Sequence, residues 1–288
     1  MPETVFLGRE DELARMADRL RRAGHSEPHK PMLALAHAVA AYPLAGRGDF
    51  PAAREHVRCA IEYANRLADA NDLAYAMSAL APLRAAESDH AGVVEALSPL
   101  LGPELAYRDA IGEPGVFPWR HLLVEILVRT GRTREAEAVL VPHETLAGAR
   151  GRWPDTAAAA RCRGMVEGAR GDTDAAERAF RVGLRHCGQH TTCWERALLH
   201  LAYGSSLRRG SKRGAAAVEL DVARVAFTRL DAMPFVEQCR TELAACGRTS
   251  ARPRTASHSV LTPQELTVGS LVAQGLSNRQ SPSWGPPP

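Results

Sequence analysis

Lysine is nearly missing from this chain: of its 36 basic residues only Lys30 and Lys212 are lysine, and the rest are arginine. A phosphate cradle needs Gly-Lys-Ser/Thr behind a glycine-rich turn. Neither lysine sits in that setting, so no nucleotide or other cofactor is expected. Aromatic residues make up 5% of the chain, which leaves aliphatic side chains and alanine to build the core. No two of the six cysteines form a Cys-x-x-Cys pair, so they read as reduced core residues. The most apolar segment, Pro31–Gly46, contains His37 and Pro43 and is shorter than the ~20 residues a membrane span needs. Met1–Glu12 is charged and lacks the apolar stretch of a signal peptide, so a soluble, cytoplasmic protein with no membrane partner is expected. Neither His-Glu-x-x-His nor Gly-x-Ser-x-Gly occurs. No catalytic residue is nominated, and the chain is not expected to be an enzyme.

What the chain does have is alanine and arginine, in a sequence of 288 residues with a formal net charge of +3. Alanine is the best helix former and lets helices approach closely. The charge excess sits on the tail, where Arg248, Arg252, Arg254 and Arg279 face only Glu265 after Glu242.

A small residue, a short polar turn and another small residue recur along the chain. The instances begin at Gly48, Ser88, Gly131, Gly171 and Gly210, close to forty residues apart. A near-constant step of this length marks stacked repeats. Glycine can close a helix in the left-handed conformation, and a neighbouring Asp or Thr can cap the next one. Apolar residues follow helical spacing on both sides of the turns. Trp119, Leu122, Leu123 and Ile126 form one stripe, and Trp194, Ala197, Leu198, Leu201, Ala202 and Ser205 another. Leu220, Ala223, Phe227 and Leu230 form a third. Val236, Cys239, Leu243 and Cys246 form a last stripe, expected to cover the exposed end of the stack. The expected fold is all-α: helical hairpins stacked as a solenoid over residues 31–247, behind an N-terminal helical segment at 1–30. The pattern resembles the tetratricopeptide class, with longer helices and a loose Ala202-Tyr203-Gly204 match before a turn.

After Gly247 the periodicity stops, and residues 248–259 read as a flexible basic linker. A new pattern opens at Leu261-Thr262-Pro263-Gln264-Glu265-Leu266. Thr262 is a good N-cap, Pro263 suits the first helical position, and Glu265 completes a capping box. Ser277-Asn278-Arg279-Gln280 is a second capping box after the stop at Gly275. Two short capped helices joined at a glycine begin a helix-turn-helix.

These residues, with Leu271-Val272-Ala273-Gln274-Gly275-Leu276, resemble the opening of the LuxR-type DNA-binding domain over 260–280. Helical repeats, a basic linker and this motif together resemble the C-terminal part of the large ATP-binding LuxR-type regulators. The resemblance implies a transcriptional regulator with DNA as a partner. Thr262, Ser277, Asn278, Arg279 and Gln280 would be its DNA-facing residues, and a protein or small-molecule effector would bind on the repeat groove. Phe6-Leu7-Gly8-Arg9-Glu10-Asp11-Glu12-Leu13 resembles the start of the family's nucleotide module, but the residues after it already belong to the repeats. At the other end, Pro282 falls inside the second helix, where it costs ~3 kcal/mol. The Pro-rich residues 281–288 are expected to be disordered and to replace the recognition helix, as a reading-frame shift would. A truncated DNA-binding domain without specific binding is therefore expected. The alternative is a tetratricopeptide-like scaffold for protein partners with a vestigial tail. His186-Cys187-Gly188-Gln189-His190-Thr191-Thr192-Cys193 is the one metal-like cluster. It lacks the second ligand pair of a zinc site and reads as a loop between repeats, so no metal is expected.

Overall fold

The computed structural model describes residues 31–67, 70–102, 119–188 and 194–247, all within a compact unit that ends at Thr249. Among the described residues every regular element is helical and none is a strand, in agreement with the all-α expectation. The helices are α1 (Pro31–Arg47), α2 (Phe50–Leu67), α3 (Ala70–Ala86) and α4 (His90–Leu97), with a 3₁₀ turn at Ser98–Leu101. After them come α5 (Trp119–Arg129), α6 (Thr133–Arg150), α7 (Trp153–Arg170) and α8 (Thr173–Cys187). The last three are α9 (Trp194–Arg209), α10 (Arg213–Arg229) and α11 (Met233–Ala245).

Each recurring turn reverses the chain through one left-handed residue. Gly48, Gly131 and Gly171 hold this conformation at φ of 92°, 77° and 88°. In the second and fifth turns serine takes the strain instead, Ser88 at 61° and Ser211 at 62°. The sequence spacing puts the fifth stop at Gly210. The Gly210 amide still donates to the Ser206 carbonyl at 3.0 Å, so the helical pattern runs one residue further and reverses at Ser211. Gly151 and Asp231, between hairpins, are left-handed as well. Left-handed residues thus fall at 131, 151 and 171 and again at 211 and 231, twenty apart. The unit beneath the forty-residue hairpin is one helix and one turn.

Aspartates cap three of the helices. The Asp49 carboxylate accepts from the Ala52 amide at 3.2 Å, Asp89 from Gly92 at 2.9 Å and Asp172 from Ala175 at 2.8 Å. Each satisfies an amide that the helix itself leaves without a partner. Arg132, Lys212 and Ala232 hold the same position without a side-chain cap.

Each helix packs on the next within and between hairpins, and the first helices of the hairpins also pack on one another in order: α1 on α3, α3 on α5, α5 on α7, α7 on α9 and α9 on α11. A first helix therefore has neighbours on several sides. The single stripe expected on α9 is too narrow: Ala197, Leu201 and Ser205 are buried, but so are Leu199, His200, Tyr203, Gly204 and Leu207. A helix covered all round loses the one-sided pattern. The second helices keep it: on α10 Leu220, Ala223 and Phe227 are fully buried while Val218 and Val222 are exposed.

Three glycines set the spacing of the C-terminal helices. A Cβ on Gly164 would lie 2.7 Å from the Phe180 ring, on Gly183 2.7 Å from Leu199 Cδ2, and on Gly204 2.7 Å from Leu220 Cγ. Each glycine precedes its contact by sixteen residues, so α7–α8, α8–α9 and α9–α10 interlock by one rule. At the far end α11 packs on α10 and α9 and also on α1. Pro234 Cγ lies 3.0 Å from where a Gly48 Cβ would be, and Trp194 lies 3.6 Å from the same point on Gly46. The last helix does more than cover an open end, because it meets the first described one.

Candidate functional site

Among the described residues, all the buried polar and charged side chains except His143 lie on first helices. Ten residues before the left-handed turn residue or its immediate neighbour, α3 carries Ser78, α5 His121, α7 Arg161 and α9 His200, all buried. One register position, which faces neighbouring helices in each of these hairpins, thus holds polar side chains inside an aliphatic core.

Arg161 lies at the centre of this set. Its Nε donates to Glu195 Oε1 at 2.5 Å and its Nη2 to Glu195 Oε2 at 3.4 Å. Its Nη1 lies 3.5 Å from Glu125 Oε2. One guanidinium therefore joins α5, α7 and α9. Both Arg161 and Glu195 are almost fully buried, where a lone charge would be very costly. Burial works against the Arg161 charge, but the Glu195 carboxylate beside it outweighs that and holds the guanidinium protonated. Beside them Asp155, also buried, accepts from Arg152 Nε at 2.8 Å.

Against this network lies a histidine pair. His121 Nε2 of α5 and His143 Nε2 of α6 are 2.5 Å apart, edge to face. Burial first, then His143, Arg161 and Arg120, hold His121 well below the usual histidine range. Burial first, then Arg120 and Arg161, pull His143 down to about 4. Both rings are neutral at pH 7. The Arg120 guanidinium stacks over Trp119 at 4.6 Å. The Cys162 thiol contacts the His121 carbonyl at 3.9 Å, and burial pushes it up to about 12; it is a thiol, not a nucleophilic thiolate.

Two further pairs join first to second helices in the same way. His37 Nδ1 lies 2.9 Å from His56 Nδ1 between α1 and α2, and His200 Nδ1 lies 2.6 Å from Glu219 Oε2 between α9 and α10. Nearer the surface, Arg163 is clamped by Glu137 at 2.8 Å, Glu144 at 2.5 Å and Glu167 at 3.1 Å. These groups are engaged with one another. What the arrangement does chemically is hold adjacent helices in one register, since each pair is satisfied in a single alignment.

Helical Glu and Arg residues read as solvated faces in the sequence, and the Arg161–Glu195 pair departs from that. Arg161 follows four alanines, and nothing in that run marks a buried ion pair with a residue 34 positions later. The expected core cysteines Cys59, Cys162, Cys187 and Cys239 are buried, and Cys246 is half-buried. Of the metal-like cluster, Cys187 is buried, and residues 189–193 lie outside the described residues. No group of three or more His, Cys, Asp or Glu side chains placed to hold a metal occurs among the described residues. The DNA-facing residues Thr262, Ser277, Asn278, Arg279 and Gln280, the linker and the segment 1–30 also lie outside them. No described helix is long and apolar enough to cross a membrane. Comparison with protein-family models, curated proteins and solved structures finds no match.

Proposed function

We propose that this chain is a LuxR-type transcriptional regulator, in which a tetratricopeptide-like stack of hairpins receives an effector and a helix-turn-helix segment faces DNA. The observation that carries the reading is the density of the motif at Leu261–Leu266 and Leu271–Gln280, behind a basic linker. The helical body supports it, because helices pack in chain order with a near-constant turn spacing. Stacked hairpins of this kind offer extended surfaces for a protein or small-molecule effector.

The tail is weakly equipped to read bases. Sequence is read by side chains of a helix seated in the major groove, and Pro282 would break a helix of the kind the capping box at Ser277 is expected to open. Arg248, Arg252, Arg254 and Arg279 can neutralise a few phosphates, so binding is expected to be weak, indifferent to sequence and steeply lost with salt. A gel-shift comparison tests both parts, using promoter DNA and scrambled DNA of equal length at physiological salt. This chain is expected to show no preference. A version in which a family-type second helix and recognition helix come after Gln280 is expected to prefer the promoter. If that version also fails to discriminate, the regulator reading falls. If the chain as it stands prefers the promoter, the reading of Pro282 is wrong.

A further inference from the structure

The His121–His143 pair is joined in a way that only uncharged rings allow. Two nitrogens 2.5 Å apart need one N–H and one bare lone pair between them. His143 Nδ1 is buried with no hydrogen-bond partner. A buried N–H without an acceptor is rarer than an under-used lone pair, so the hydrogen-bond pattern assigns the shared proton to His143 Nε2 and the accepting lone pair to His121 Nε2. A proton added to His143 must enter at Nδ1, where nothing accepts it. A proton added to His121 must enter at Nε2, where it replaces the acceptor and sets two N–H groups against each other.

The surroundings are cationic. Arg120 precedes His121 on α5, and Arg161 approaches from α7 with Cys162 beside it. From α6 the group that faces His121 is His143 itself. Among the described residues Arg161 is balanced by Glu195 and Glu125, and burial pushes the Glu195 carboxyl upward. Protonating either ring adds positive charge beside Arg161. In the fifth hairpin the equivalent contact is His200 on Glu219, where a protonated ring would face a carboxylate.

We propose that the His121–His143 pair is an acid-released latch, which holds α5 against α6 while both rings are neutral and frees that hairpin on protonation, while the fifth hairpin stays closed. The direction comes from linkage. Both rings bind protons less readily when folded, so the stabilisation is complete above their unfolded value near 6.5. It is lost as pH falls from there toward about 4, the value for His143. The latch opens the middle of the stack within the range a mildly acidic compartment reaches.

Hydrogen exchange read by mass spectrometry on the whole chain, corrected for the pH dependence of intrinsic exchange, tests the latch. Between about pH 7.5 and about pH 5.5, peptides from α5 and α6 are expected to open about a hundredfold more often, about tenfold for each ring. Peptides from α9 and α10, where a ring meets a carboxylate instead of a second ring, are expected to stay within about twofold. A His121→Gln and His143→Gln double variant keeps a donor and an acceptor without titrating, and its α5–α6 exchange should no longer respond to pH. Unchanged protection of α5–α6 in the wild type overturns the proposal. So does parallel loss in α9–α10, which would be general acid unfolding, and so does a pH response that survives in the double variant. Should the variant fail to fold, the wild-type contrast between the two hairpins decides alone.

Discussion

Replacing Gly204 by alanine places a methyl group 2.7 Å from Leu220 Cγ and 3.1 Å from the Leu220 backbone nitrogen. Neither atom is the free end of a flexible side chain, so α9 and α10 must separate by several tenths of an ångström for the methyl to fit. Forcing an extra methyl into a packed interface costs ~1–3 kcal/mol. Alanine regains ~1 kcal/mol of helix propensity over glycine. The expected net is destabilisation by up to about 2 kcal/mol, read from urea unfolding followed by helical circular dichroism. Gly148 in α6 is the control: it is exposed, and a Cβ there meets nothing within 4 Å. Gly148→Ala should stabilise by ~0.5–1 kcal/mol through propensity alone. The two substitutions are chemically identical and differ in sign only because of the neighbouring helix. If Gly204→Ala stabilises as Gly148→Ala does, the interlock is not a close contact and the shared sixteen-residue rule loses its meaning. Gly164→Ala, against the Phe180 ring, should behave like Gly204→Ala.

Arg161→Met should destabilise by ~3–5 kcal/mol, because Glu195 is then left buried without its partner. Adding Glu195→Leu should recover most of that loss, and a double-mutant cycle in urea shows whether the two changes add, which would refute the pairing. Asp172→Ala removes the cap on α8 and should cost ~1 kcal/mol. Arg132→Ala, at the uncapped equivalent position of α6, should change the same unfolding midpoint far less.

The exposed stripe of Val218, Val222 and Val225 on α10 and the closely packed interior are two outcomes of one architecture. First helices are enclosed by the helices around them and tolerate apolar residues on every face. Second helices have one outer side, where single apolar residues are ordinary and charged residues prevail. This difference explains why α2 carries a network such as Glu55–Arg58–Glu62 on its open side. Exposed pairs of this kind contribute little to stability each, ~0–1 kcal/mol. The buried links at Arg161 and His121 therefore bear most of the register.

The helical class, the positions of the reversals and the forty-residue step were legible in the amino-acid order, because they rest on local chemistry. Glycine tolerates the left-handed conformation, aspartate caps the next helix, and apolar residues recur with the helical period. Gly48, Gly131 and Gly171 and the caps at Asp49, Asp89 and Asp172 all depend on neighbours within a few residues. Local chemistry did not place the fifth reversal at Ser211, since Gly210 is the better left-handed residue and only the continued bond to Ser206 moved it. Tertiary structure alone decided which charges are inside. Arg161 and Glu195 look like any other helical Arg and Glu until α7 and α9 pack with both side chains in the seam. His121 finds His143 by the same route, as α1 finds α11 across the whole array. The physical reason is that an ion pair or a ring contact depends on where two distant helices cross, and a one-dimensional pattern records what each helix buries without recording against whom.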